Sequence, residues 1–173
     1  MSVMLTTQIQ EPPMEQVIVT REIKSDVNAV WAVLDDFASI YKYNPSVKHS
    51  ELLSNKTTGM GAQRICHFYD GTSLKETITH YQPNKGYGFE LSDFKLPLKF
   101  AETQISLNSV GVAKSSVTVT LSFVPKFGPL GWLMAKLLMK PMLKKALTGL
   151  LQGLDDHTRS GQLVLQDGSL VAA

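Results

Sequence analysis

Hydrophobic and polar positions alternate from Gln16 to Ile23, where β-branched residues dominate, so a first strand is predicted there. Ser25-Asp26 then supplies an N-cap for a helix over Val27–Leu34. A second short helical piece, Phe37–Tyr41, must stop before Asn44-Pro45, because proline drives the preceding residue out of the α region. From Val47 to Val124 the period stays near two, giving strands over Val47–Leu53, Ala62–Tyr69, Ser73–Tyr81, Gly86–Leu91, Phe100–Leu107 and Ala113–Val124. The breaks between them carry turn chemistry: Thr58-Gly59-Met60-Gly61, Asp70-Gly71, Pro83-Asn84-Lys85-Gly86 and Ser109-Val110-Gly111. An antiparallel meander follows.

At Gly128 the period changes to 3.6 and holds to Thr158, which predicts one long C-terminal helix. Lys136, Lys140, Lys144 and Gln152 mark its solvent stripe. Leu133, Met134, Leu137, Leu138, Met142, Leu147, Leu150, Leu151 and Leu154 are then the face laid on the concave side of the sheet. Pro141 is expected to kink the helix, since it lacks an N–H and crowds the preceding turn. Residues 1–15 read as a flexible lead-in, residues 16–158 as a single domain, and residues 159–173 as a loosely held tail.

Composition narrows the function classes. The 173 residues, 43% hydrophobic and 18% charged, suffice for one domain with a sizeable core. Lys and Arg total 17 against 15 Asp and Glu, so a net charge of +2 leaves no footprint for nucleic acid, and no such partner is expected. The lone Cys66 permits no internal disulfide, which fits a reducing cytoplasm. No export signal is expected at the N-terminus. Leu130–Leu143 is interrupted by Lys136 and Lys140 and falls short of the ~20 residues that span a bilayer, so no transmembrane segment is expected.

Several motifs occur in a suggestive order. Asp36-Phe37-Ala38-Ser39-Ile40-Tyr41-Lys42-Tyr43-Asn44-Pro45-Ser46-Val47 resembles the D-F/W…W-x-P-x-V segment of the polyketide cyclase/dehydrase-like branch of the START and birch-pollen-allergen superfamily, SRPBCC. Gly59-x-Gly61-x-x-Arg64, Asp70-Gly71, Leu74-x-Glu76-x-Ile78, Leu96-Pro97 and Gly128-Pro129-Leu130-Gly131 follow in that branch's order, so the resemblance covers residues 16–158. It implies an α+β helix-grip fold: a curved antiparallel sheet of about seven strands around a long C-terminal helix, with two short helices after the first strand. Two departures stand out. Tyr43 occupies the position usual for tryptophan, and the turn at Asp70-Gly71-Thr72 is too short for the gating loop of the plant hormone receptors in that superfamily.

In a hairpin turning at Asp70-Gly71, Arg64 and Glu76 lie nearly opposite each other on neighbouring strands. Arg64 would share the concave face with Cys66 and Phe68, and Glu76 with Leu74 and Ile78. The pair could be a salt bridge that orders the hairpin, a polar contact for a ligand, or acid/base machinery; relatives are implied to use matching residues in the last two ways. His67 has the parity opposite to Arg64 and should face solvent. With His49, His80 and His157 it forms no metal-ligand spacing, so neither metal nor cofactor is expected. No phosphate loop, nucleophile elbow or Cys/His nucleophile signature is present.

Tyr41, Tyr43, Asn44, Arg64, Phe68, Glu76, Tyr87, Phe89, Phe94, Phe100, Trp132, Met134, Leu138 and Met142 are the candidate ligand-binding residues, with Tyr43 and Asn44 placed near the mouth. Each could equally be ordinary core. The leading reading is a binding or carrier protein for a small hydrophobic or amphipathic ligand: a lipid, polyketide, isoprenoid or aromatic metabolite. The alternative is a polyketide cyclase or dehydratase, with Glu76 as base and Arg64 steadying an enolate. A third reading has Lys136, Lys140, Lys144 and Lys145, near Trp132 and Leu130, making transient contact with a membrane surface, against the plainer view of a solvated helix face.

Overall fold

The computed structural model describes residues 13–173, so most of the expected N-terminal lead-in lies outside the described residues. Each turn signal closes a strand pair. β1 (Glu15–Ile23), β2 (Val47–Leu52), β3 (Gln63–Phe68), β4 (Ser73–Gln82), β5 (Gly86–Ser92), β6 (Leu98–Gly111) and β7 (Lys114–Pro125) form one antiparallel sheet in the order β1-β7-β6-β5-β4-β3-β2. β2 to β7 are a simple meander, while β1 pairs with β7 at the far edge, Gln16 facing Ser122.

The chain crosses from β1 to β2 through two short helices. α1 (Val27–Asp35) starts at Asp26, whose Oδ1 accepts the Ala29 N–H at 2.9 Å, and it buries Val30, Trp31 and Leu34 against the sheet. A 3₁₀ turn, Phe37–Lys42, buries Phe37 and Ile40 and delivers Tyr43 to the interior.

The C-terminal helix closes the concave side in three continuous pieces: α2 (Gly128–Met134), a widened π turn (Ala135–Met139) and α3 (Lys140–Ser160). In the π turn the Lys140 N–H reaches back to the Ala135 carbonyl. Opening the turn there, one residue before Pro141, accommodates a ring that would crowd an ordinary α turn. Backbone angles at Met134, Met139 and Lys140 remain right-handed helical, so the expected interruption takes the form of a bulge.

This bulge overturns the expected helix face. Gly131, Ala135 and Met139 are the buried row, four residues apart, continuing through half-buried Leu143 and Leu147 to buried Leu151. Widening a turn from 3.6 toward 4.4 residues keeps a four-residue spacing in line, and it turns Leu133, Met134, Leu137 and Leu138 outward. Lys140 is likewise not part of a free stripe: its Nζ lies 2.7 Å from Glu15 Oε2 on β1. Only the second half follows the expected pattern, with Leu151 and Leu154 buried and Gln152 exposed.

The helix ends at Gly161, left-handed at φ 69°, whose N–H donates to the His157 carbonyl at 2.8 Å. Beyond it the expected loose tail is instead a small hairpin, β8 (Leu163–Val164) with β9 (Leu170–Val171), and Val164 is buried against α3. No helix among the described residues is long and apolar enough to cross a membrane. The whole arrangement is a helix-grip fold.

Candidate functional site

Strand register puts two opposite charges at one point on the concave face. Arg64 pairs with Glu76 in the β3–β4 ladder, and both side chains are buried, Arg64 completely. Arg64 Nε donates to Glu76 Oε2 at 2.5 Å, and Nη1 donates to the Phe37 carbonyl at 2.5 Å. Its guanidinium carbon lies 4.0 Å from the Phe37 ring centre and 5.8 Å from that of Phe89. One arginine thus ties β3 and β4 to the 3₁₀ turn. Burial works against its charge, but the Glu76 carboxylate outweighs that and holds the guanidinium above its usual range. Nη2 stands equally close to Oε2 and completes the ion pair, though it is buried and not aligned for a hydrogen bond.

Two tyrosines stand beside this pair. Burial pushes the Tyr43 phenol up to about 12, and that of Tyr87 well above its ordinary value. The two hydroxyls are neighbours without the geometry of a hydrogen bond, and the Tyr87 hydroxyl is buried without a partner among the described residues. Tyr43 is therefore deep, beside Arg64 and Glu76, and not at the mouth. It is held there by α3, because the Tyr43 carbonyl lies against the Cα of Gly153. Asn44 is turned to its own backbone, its Oδ1 accepting the Ser46 N–H at 3.0 Å.

Between sheet and helix lies a cavity of about 460 Å³, within the range of small-molecule sites. Of the sequence candidates, Tyr43, Asn44, Arg64, Phe68, Glu76, Phe89, Phe94 and Met142 line it. The other six are placed elsewhere. Tyr41 lies near the His49 ring at 5.9 Å, and Tyr87 sits in the core between Trp31, Phe37 and Phe89. A bulge between Leu98 and Phe100 reverses parity, so Leu98 and Ala101 face the cavity and Phe100 does not. Trp132 lies under the Lys136 ammonium at 3.9 Å, and Met134 and Leu138 are exposed by the π turn.

Much of the wall was not anticipated: Ala101, Thr103 and Ile105 from β6, Val117, Val119 and Leu121 from β7, and Leu143 from the helix. Strand alternation carries a signal for the first six, once the bulge sets their parity. The entrance lies among Ser46, Phe68, Asp70, Met142 and Ala146, where a shallow outer depression adjoins the cavity. The short Asp70–Thr72 turn is self-contained, Asp70 Oδ1 accepting both the N–H and the hydroxyl of Thr72. His67 lies on the outer face, its ring stacked 6.3 Å from His49.

A family model described as polyketide cyclase / dehydrase and lipid transport matches residues 14–158. The chain belongs to this family. Among solved structures, this polyketide cyclase/dehydrase-like chain is similar to a START superfamily protein from Mycobacterium smegmatis (TM-score 0.67, 17% identity, 83% of this chain and 97% of that one). It is also similar to the ginseng major latex-like protein 151 of Panax ginseng (0.66, 15%, 84% and 97%) and to the Zhui aromatase/cyclase of Streptomyces sp. R1128 (0.64, 14%, 85% and 94%). At these identities the likeness is one of fold. No curated protein matches it in sequence.

Cys66 shares the buried face with Arg64, and burial pushes its thiol up to about 12. Folded Cys66 and Tyr43 both hold their protons more tightly than the unfolded chain does, whose ordinary values are 9.0 and 10.0. Their contribution to stability is therefore complete below about pH 9 and is lost as pH rises through about 12. A chromogenic disulfide reagent at pH 8 is expected to label the native thiol at least ~100-fold more slowly than the urea-unfolded one. The urea midpoint should fall steadily between pH 9 and 11. Rapid native labelling would mean that the thiol is not enclosed.

Proposed function

We propose that this protein binds and carries a small hydrophobic or amphipathic molecule in the cavity between sheet and helix. One observation carries the reading: a chamber walled mainly by apolar side chains holds Arg64, Glu76 and Tyr43 together in its buried wall, apart from the polar residues such as Ser46, Asp70 and Lys95 that line it elsewhere. Apolar walls supply affinity in proportion to the area they remove from water, while the Glu76 carboxylate and the Tyr43 hydroxyl orient one polar end. A lipid, polyketide, isoprenoid or aromatic metabolite has that shape and polarity.

The cyclase or dehydratase reading has one observation in its favour. Glu76 spends Oε2 on Arg64, and among the described residues Oε1 accepts no hydrogen bond, so a carboxylate oxygen faces a ligand chamber. Mass spectrometry of an organic extract of the purified protein tests the first reading, which expects one reproducible apolar compound near stoichiometric amount. Glu76→Gln separates the two. A carrier should lose only about 1–2 kcal/mol of affinity. An enzyme using Glu76 as base should keep binding and lose roughly 10²- to 10⁴-fold in turnover on a polyketide-like substrate. A change in stability alone would leave the pair a structural salt bridge.

A further inference from the structure

The first half of the C-terminal helix shows water what a helix normally hides. Leu130 is 67% exposed, Leu137 65% and Leu138 67%, with Leu133 and Met142 about half exposed and Phe127 beside them at 68%. Contiguous apolar surface of this kind marks an interaction site. Leu130, Met134, Leu138 and Met142 follow one another at every fourth residue, in a row beside the buried one, and Met142 also lines the cavity and its entrance.

Charge identifies the partner. From Lys126 to Leu154 there are five lysines and no Asp or Glu. Lys136, Lys140 and Lys144 form a second row on the other side of the buried one. Lys140 is offset by Glu15, but Lys126, Lys136, Lys144 and Lys145 are exposed and belong to no ion pair among the described residues. A leucine and methionine face bordered by unpaired lysines on one helix suits the boundary of an anionic bilayer, where apolar side chains enter the acyl region and ammonium groups reach the phosphates. A second copy of the chain is a poor match, because a two-fold contact would bring the same lysines together.

We propose that α2, the π turn and the start of α3 form a docking face for anionic lipid membranes, which brings the cavity entrance at Met142 to the bilayer surface. The face goes beyond the carrier reading and stands without it. Vesicle binding reports on the surface, and extraction of a bound compound reports on the cavity.

The full chain should float with phosphatidylcholine vesicles containing phosphatidylglycerol, and bind pure phosphatidylcholine vesicles at least tenfold more weakly. Leu137→Asp with Leu138→Asp should abolish flotation while the circular dichroism and melting curve persist, since both side chains are exposed. Lys136→Gln and Lys144→Gln should each weaken binding roughly fivefold, with the loss fading at high salt. Wild-type protein that ignores anionic vesicles at low salt, or an aspartate double variant that binds as wild type, overturns the proposal. So does a double variant that changes the oligomeric mass while wild type shows no vesicle binding, which would make the face a contact between copies.

Discussion

Arg64→Met is expected to destabilise the fold by about 3–5 kcal/mol in urea unfolding, because it leaves the Glu76 carboxylate in an apolar wall without its counter-ion and the Phe37 carbonyl without its donor. The loss should exceed what the missing contacts alone would suggest. Desolvating an ionised carboxylate is unfavourable by several kcal/mol, and in the native protein the arginine offsets it. The second half of the cycle makes the point testable: Arg64→Met with Glu76→Leu removes both charges and should recover most of the stability. A ligand held through its polar end should bind the double variant poorly all the same. An Arg64→Met cost under about 1 kcal/mol would mean that Glu76 finds water when the arginine is gone, and the chamber would then be open at that end.

The other large effect comes from two glycines one helical turn apart in α3, for which opposite outcomes are expected. A Cβ on Gly153 would sit 2.0 Å from the Tyr43 carbonyl oxygen, so Gly153→Ala forces helix and 3₁₀ turn apart. Neither backbone can step aside as a side-chain tip could. The expected cost is about 3 kcal/mol or more, at or beyond the upper end for overpacking. A Cβ on Gly149 would meet only Pro45 Cγ at 3.5 Å, ordinary contact. Gly149→Ala should therefore gain roughly 0.5–1 kcal/mol from helix propensity alone. Thermal unfolding of the two variants reads both signs at once. If Gly153→Ala is tolerated, α3 does not rest on the Tyr43 carbonyl, and Tyr43 is not fixed beside Arg64 by that contact.

The legible and illegible parts of this protein divide along the range of the interaction that decides them. That Arg64 and Glu76 lie nearly opposite follows from the hairpin signal at Asp70-Gly71, although the strands close one residue earlier, around Tyr69-Asp70-Gly71; α1 follows from a cap and an apolar stripe, and all of these are local features. Leu138 and Met134 went to the wrong face because the apolar positions between Leu130 and Leu143 suit more than one face of an ideal helix. What chose among them was the π turn over Ala135–Met139, which opens the helix just ahead of Pro141. Phe100 depended on a bulge invisible in the alternation itself, and the tail hairpin on the seat Val164 finds against α3. Tyr43 could be recognised as important by its place in the motif, but its depth needed the helix above it.

The placement of β1 beside β7 has a consequence for the order in which the molecule can be made. Hairpins β2 to β7 join neighbours in sequence and can pair as soon as each is synthesised. β1 is made first among the strands yet has no sheet partner until the residues around Ser122 exist, 106 positions after Gln16. The helix is later still, and its anchors to β1, Lys140 on Glu15 and Asp155 on Arg21, span 125 and 134 positions. Until that last segment leaves the ribosome, the concave face of a nearly complete sheet is bare, and the growing chain carries an open apolar trough that any other greasy surface could occupy.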